Sequence, residues 1–214
     1  MDTIQINDIP ILVDEAAKYI QLNGICDFDS DFMDCISARY AGYEVFFCYH
    51  NTVPPEQFLD AAGAALVDDC IEMRLTGVST PAAAIAHGVT PLDEASIDEF
   101  CALHDSRCPD MYWTGSRIRA DMSRWGIFVI KDHNRITGYI MMAIWNPVEA
   151  EIFHVEAANT IQGSALIISA VEYAFSISRR EVLFMVDKDS VQQQMALSAG
   201  FCVTGYYQGF AVKV

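Results

Sequence analysis

AEIFHVEAANTIQGSALIISAVEYA, residues 150–174, holds three successive patterns. Glu151-Ile152-Phe153-His154-Val155 is a short apolar run of β-formers and predicts a strand. Residues 158–163 form a polar turn that ends on Gly163, and residues 164–176, rich in small and aliphatic side chains, predict a helix. A strand that feeds a helix through a small-residue turn is an anion site in outline. The first amides of a helix have no intrahelical acceptor, and the helix dipole is positive at that end. On this reading the amides of Ile161, Gln162, Gly163, Ser164 and Ala165 form a cradle. Gly163 is needed because a side chain would hold a pyrophosphate away from the backbone. The plainer reading is that Gly163 only permits a tight strand–helix turn.

The flanks supply the rest of an α/β chain. Upstream, the pattern predicts a strand at 3–6, helices at 14–21 and 31–40, a buried strand at 44–49, a helix at 53–66 and a strand edge at 70–75. The segment TGVSTPAAAIAH, residues 76–87, is small-residue and proline-containing, and marks the boundary between an N-terminal unit, 1–78, and a second, 86–214. After it come helices at 95–105 and 114–124, a hairpin of strands 126–131 and 136–145, and the strand–turn–helix quoted above. A strand at 181–186, a helix at 190–199 capped by Gly200-Phe201, and one or two closing strands over 202–214 complete the chain. At one common offset Glu44-Val45-Phe46-Phe47 matches Glu181-Val182-Leu183-Phe184, Gln57 matches Gln194, and Ala62-Gly63 matches Ala199-Gly200. The N-terminal unit therefore reads as a degenerate half-repeat of the fold that ends the chain, although segments this short also match by chance.

Composition narrows the function. A net charge of −16 argues against nucleic-acid binding, which needs a basic face, and suits a small amine. No apolar run reaches the ~20 residues of a membrane helix, and the acidic start is unlike a secretory signal. Seven cysteines at irregular spacing fit reduced thiols and a cytoplasmic location. Cys101, His104 and Cys108 would share a helical face, but zinc takes four ligands and no fourth stands nearby, so they read as buried packing and no metal is expected.

From about residue 86 onward the order of elements resembles the GCN5-related N-acetyltransferase (GNAT) family. Two motifs carry the resemblance. The family's acyl-CoA loop, Gln/Arg-x-x-Gly-x-Gly/Ala, is matched by Thr160-Ile161-Gln162-Gly163-Ser164-Ala165, with Thr160 in the place of the usual long side chain. The late Asn-x-x-Ala-x-x-Leu-Tyr-x-x-x-Gly-Phe pattern is matched from Asp189 to Gly200-Phe201, with Gln192, Met195 and Ala196 at the Ala, Leu and Tyr places. The resemblance implies a mixed, largely antiparallel sheet flanked by helices, an α+β fold, with acetyl-CoA as co-substrate. It also implies direct attack by a small-molecule or peptide amine. Phe153, Val155, Thr160 to Ala165 and Asp189 would contact the co-substrate. A homodimer is compatible with it.

The chemistry needs a base, which in relatives lies on the strand before the loop. Side chains alternate along a strand, so Glu149 and Glu151 are expected to share a face with Phe153 and Val155, leaving His154 and Glu156 on the other. The family's tyrosine acid is Ala196 here, and Tyr206 or Tyr207 is the available substitute. Asp110, Tyr112 and Trp113 fall in the loop expected to wall the acceptor, where charge and cation–π contact would hold an ammonium. Thr160, Asp189 and Ala196, three departures from the family pattern, support a rival reading: an acyl-CoA-binding sensor or interaction module with weak or no turnover.

Overall fold

A computed structural model describes residues 2–6, 9–22, 30–77 and 88–214. The chain forms two compact units. One comprises Met1–Ile71 with Gly205–Val214, the other Glu72–Thr204. Most of the expected boundary segment, residues 78–87, lies outside the described residues.

The first unit runs β1 (Asp2–Ile6), β2 (Ile9–Asp14), β3 (Tyr19–Leu22), α1 (Ser30–Arg39), β4 (Glu44–His50) and α2 (Glu56–Ala62), then enters β5 (Ala65–Thr76). Residues 14–21, expected as a helix, instead close a hairpin between β2 and β3. Ile11, Val13, Ile20 and Leu22 alternate into the core, and that period of two overrides the helix propensity of Glu15-Ala16-Ala17. Asp14 Oδ1 accepts from the Ala17 amide at 2.9 Å, and Lys18 takes φ 50° to turn the chain back. Phe47 and Tyr49 of β4 pack with Phe210 from the end of the chain to fill this unit's core.

The second unit continues with β6 (Val89–Pro91), α3 (Ile97–Arg107), α4 (Gly115–Ala120), β7 (Trp125–Asp132), β8 (Arg135–Ala143), β9 (Glu149–Glu156), α5 (Thr160–Ser176), β10 (Glu181–Asp187), α6 (Val191–Ser198) and β11 (Cys202–Lys213). Strands β6 to β9 are antiparallel neighbours, while β9 and β10 are parallel and joined by α5 as the crossover helix. His133 and Asn134, at φ 47° and 64°, make the two-residue turn of the β7–β8 hairpin. In α5 the buried positions Gly163, Leu166, Ile167, Ala170, Val171 and Ala174 form one stripe at helical spacing. Burying the leucine and isoleucines stabilises the helix by about 1.5–3 kcal/mol each. The sheet is mixed and mostly antiparallel, with helices packed on it, as expected.

The two segments that echo each other in sequence adopt matching elements. β4 and β10 are seven-residue strands, each followed by a helix, α2 or α6. Past each helix the glycine, Gly63 or Gly200, has positive φ, 66° and 94°.

Gly115 sets the approach of α4 to α3. A Cβ there would lie 2.8 Å from the Cys101 Cα and 2.9 Å from its carbonyl oxygen, both backbone atoms that cannot yield. Gly115→Ala is expected to destabilise the protein by about 1–3 kcal/mol, measured as a lower urea midpoint with an unchanged slope.

Candidate functional site

One residue of β9 decides what faces the site. Along the β8–β9 pair Met141 partners His154 and Met142 partners Ile152, so Phe153 is an extra residue, a β-bulge. Cross-strand partners share a face. Ala143 with Glu151, Met141 with His154 and Tyr139 with Glu156 therefore point to the α3–α4 side, whereas Met142 with Ile152 and Ile140 with Val155 point to α5. The expectation that Val155 shares a face with Glu149 and Glu151 is corrected: Val155 is turned into the core, 3% exposed. His154 and Glu156, expected on the opposite face, join Glu151. A period-two count along the strand fails because the bulge shifts it by one.

The parallel pairing of β9 with β10 runs from Glu149↔Glu181 to Ile152↔Phe184. Beyond that pair both strands continue, to Glu156 and Asp187, without further partner residues between them. Glu151 stands next to the point where the strands part. Burial, reinforced by the Glu149 carboxylate and opposed by Arg74, pushes its pKa up to about 7. Glu149, the other base expected from sequence, is engaged: Arg74 Nη1 donates to it at 2.5 Å. The same guanidinium meets Glu72 through Nε at 2.7 Å and Glu181 at 3.2 Å. Glu72, 3% exposed, also accepts from the Thr204 hydroxyl. Arg74 thus ties β5, β9 and β10 together where two directly opposed carboxylates, Glu149 and Glu181, would otherwise repel.

The helix after β9 begins at Thr160, four residues earlier than expected, so Thr160 to Ala165 are its first turns rather than a free loop. Asn159 caps it, its side chain accepting from the Gln162 amide at 3.0 Å while its carbonyl accepts from Gly163. Only the amides of Thr160 and Ile161 precede the first of these bonds, narrowing the expected cradle of 161–165. Gly163 has a separate task. Its Cβ would fall on the Sδ and Cε of Met195 in α6, so the glycine lets the two helices approach.

The loop expected to wall the acceptor has its aromatic faces occupied from within. Arg117 stacks on Tyr112 at 3.9 Å, and Arg124 lies over Trp145 at 4.4 Å and Trp113 at 5.6 Å. Asp110 is exposed. Trp113 joins Trp125, Trp145 and Phe153 in one cluster with ring centroids 5.2–6.0 Å apart. His104, fully buried, pins this loop. Its Nε2 must donate to the Trp113 carbonyl at 2.8 Å, so Nδ1 accepts from the Tyr139 hydroxyl at 3.0 Å. Cys101 donates to the Gly115 carbonyl, and Cys108 lies 3.6 Å from His154 Nε2, so the Cys-x2-His-x3-Cys pattern resolves into three packing roles. Burial, with His104 beside it, holds the His154 pKa down at about 4.

Tyr206 belongs to the first unit, its side chain 67% exposed. Asp189 is exposed in the turn before α6, at φ 62°, its amide donating to Gln193. Arg74, Trp125 and Trp145 were not expected from sequence, since each acts through strand neighbours far away in the chain.

No model of a known protein family matches this chain, and no curated protein matches its sequence. Solved structures do match its fold. A GCN5-related N-acetyltransferase from Kribbella flavida aligns at TM-score 0.68 and 12% identity, covering 100% of this chain and 90% of that one. One from Sphaerobacter thermophilus aligns at 0.66 and 14%, covering 94% and 75%. A tandem GNAT protein from the clavulanic acid biosynthesis pathway aligns at 0.62 and 12%, covering 96% and 78%. The fold is that of the GCN5-related N-acetyltransferases, and the likeness spans both units. No helix among the described residues is long and apolar enough to cross a membrane.

Because Glu151 binds its proton more tightly in the folded chain than in the unfolded one, the stability this contributes is full below pH ~4.5 and lost as pH rises through about 7. Glu151→Gln is therefore expected to raise stability at pH 8 by roughly 2–3 kcal/mol and to leave it unchanged at pH 4, measured by urea unfolding at the two pH values.

Proposed function

We propose that this protein is an acetyl-CoA-dependent N-acetyltransferase in which Glu151 is the general base. The observation that carries the proposal is a carboxylate with a proton affinity near neutrality, placed where β9 and β10 part in a GNAT fold. A base works best when its pKa lies near the working pH. Glu151 meets that condition, His154 at about 4 does not, and Glu149 is committed to Arg74.

In the proposed reaction the amine nitrogen attacks the thioester carbonyl, Glu151 takes the ammonium proton, and the C–S bond breaks to release CoA thiolate. The first turn of α5 offers the pyrophosphate the amides of Thr160 and Ile161 and the positive end of a 17-residue helix dipole. Ala196, buried at the place of the family's tyrosine, offers no acid. A thiol of pKa ~8.5 leaves tolerably without one near neutral pH. The absence of an acid at Ala196 also favours the second reading, binding without turnover, and the test separates the two.

Titration calorimetry should give saturable heat with acetyl-CoA, and thiol release should follow on an amine panel. Glu151→Gln should lower kcat/KM at least ~100-fold with co-substrate affinity kept. The wild-type kcat/KM profile should rise through an acid limb near pH 7, since Glu151 must be deprotonated to act. Heat without thiol release on any amine would favour the sensor, and no heat with acetyl-CoA or CoA would sink both readings.

A further inference from the structure

Three features of the wall beside Glu151 have no part in the proton transfer: its aromatic content, its charge pairing and one unmet hydrogen-bond donor. Trp125, Ala143 and Glu151 are successive partners across β7, β8 and β9, so they form one row on one face. Two strand spacings, about 10 Å, separate the backbones of Trp125 and Glu151. All three tryptophans of the chain, with Phe153, meet at the Trp125 end of this row. Trp125 is the central ring, packed edge-to-face against the other three.

Charge pairing disfavours a second cationic group directly beside Glu151. A second ammonium would need a spare carboxylate or an open aromatic face. Around Glu151 the carboxylates of Glu72, Glu149 and Glu181 are held by Arg74. One face each of Tyr112, Trp113 and Trp145 carries one of the protein's own guanidinium groups. What remains is ring surface, with Trp145 40% exposed. The unmet donor is the Trp125 indole N–H, which is buried in a residue only 5% exposed and finds no acceptor among the described residues. A buried donor without a partner costs about 1–3 kcal/mol, a cost that a ligand oxygen would remove.

We infer that the acceptor is an arylalkylamine whose ring packs against Trp145 and Phe153 and whose ring oxygen accepts from the Trp125 N–H, with the amine directed to Glu151. The inference rests on the transferase reading and names its substrate class. The test compares 2-phenylethylamine, tyramine and spermidine, by thiol release with acetyl-CoA and by calorimetric binding in the presence of CoA. Tyramine is expected to exceed spermidine in kcat/KM at least tenfold, and to exceed 2-phenylethylamine about fivefold. Trp125→Phe, which keeps a ring and deletes the N–H, should erase the second difference. Trp145→Ala should raise KM for both aryl amines about tenfold, and Trp145→Phe should restore most of it. Turnover favouring spermidine, or equal turnover of all three, overturns this inference and leaves the transferase reading standing. Saturable aryl-amine binding without thiol release supports the pocket and sinks the transferase reading instead. Absence of aryl-amine binding, or a Trp125→Phe variant that still prefers tyramine, overturns the inference.

Discussion

The extra residue in β9 is the constraint on which the site depends. Without the bulge at Phe153, strict alternation would turn His154 and Glu156 towards α5 and Val155 towards the α3–α4 side. With it, Glu151, His154 and Glu156 share a face, and Val155 closes the core under α5. The bulged residue itself is used, because its ring packs against Trp125 and Trp145. A bulge also strengthens local twist, and β9 loses its partner residues on β10 just beyond Ile152. Face selection and strand parting thus occur within two residues of each other.

The electrostatics follow from how few cations the unit places near its carboxylates. Arg74 engages Glu72, Glu149 and Glu181, and is too far committed to neutralise Glu151 as well. One carboxylate is left partly buried beside Glu149, and its proton affinity rises. The distribution is the reverse of a uniform acidic surface: three carboxylates are paired with one guanidinium, and burial raises the proton affinity of the fourth. On the opposite side of the row, Arg117 and Arg124 are spent on aromatic faces, which leaves that wall apolar.

Much of this was legible in the sequence, and the limits have identifiable causes. The strand–helix–strand–helix order of the second unit, the hairpin turn and Gly200 as a helix stop are local features, and local rules find them. The place of Glu151 on the strand before the helix is likewise a local feature, found in β9 as expected. The face of Val155 and His154 was misassigned because a bulge has no local signature in EIFHVE. The helix at 14–21 was misassigned because Glu15-Ala16-Ala17 favours helix locally while Ile11, Val13, Ile20 and Leu22 follow the sheet. The close approach of Met195 to Gly163, thirty-two positions away in the chain, is invisible without the packing of α6. Arg74 and the tryptophan cluster escaped for the same reason.

The confinement of all three tryptophans to one cluster also makes the protein optically lopsided. Indole emission arises entirely from residues 113, 125 and 145 of the second unit. The first unit, which holds Tyr19, Tyr40, Tyr43, Tyr49, Tyr206 and Tyr207, contributes only tyrosine emission. Excited above the tyrosine band, the molecule reports the surroundings of this one cluster. A change in the surroundings of Trp145, the most exposed of the three at 40%, would register in that signal, so the chain carries its own local probe at the place where its chemistry is proposed to happen.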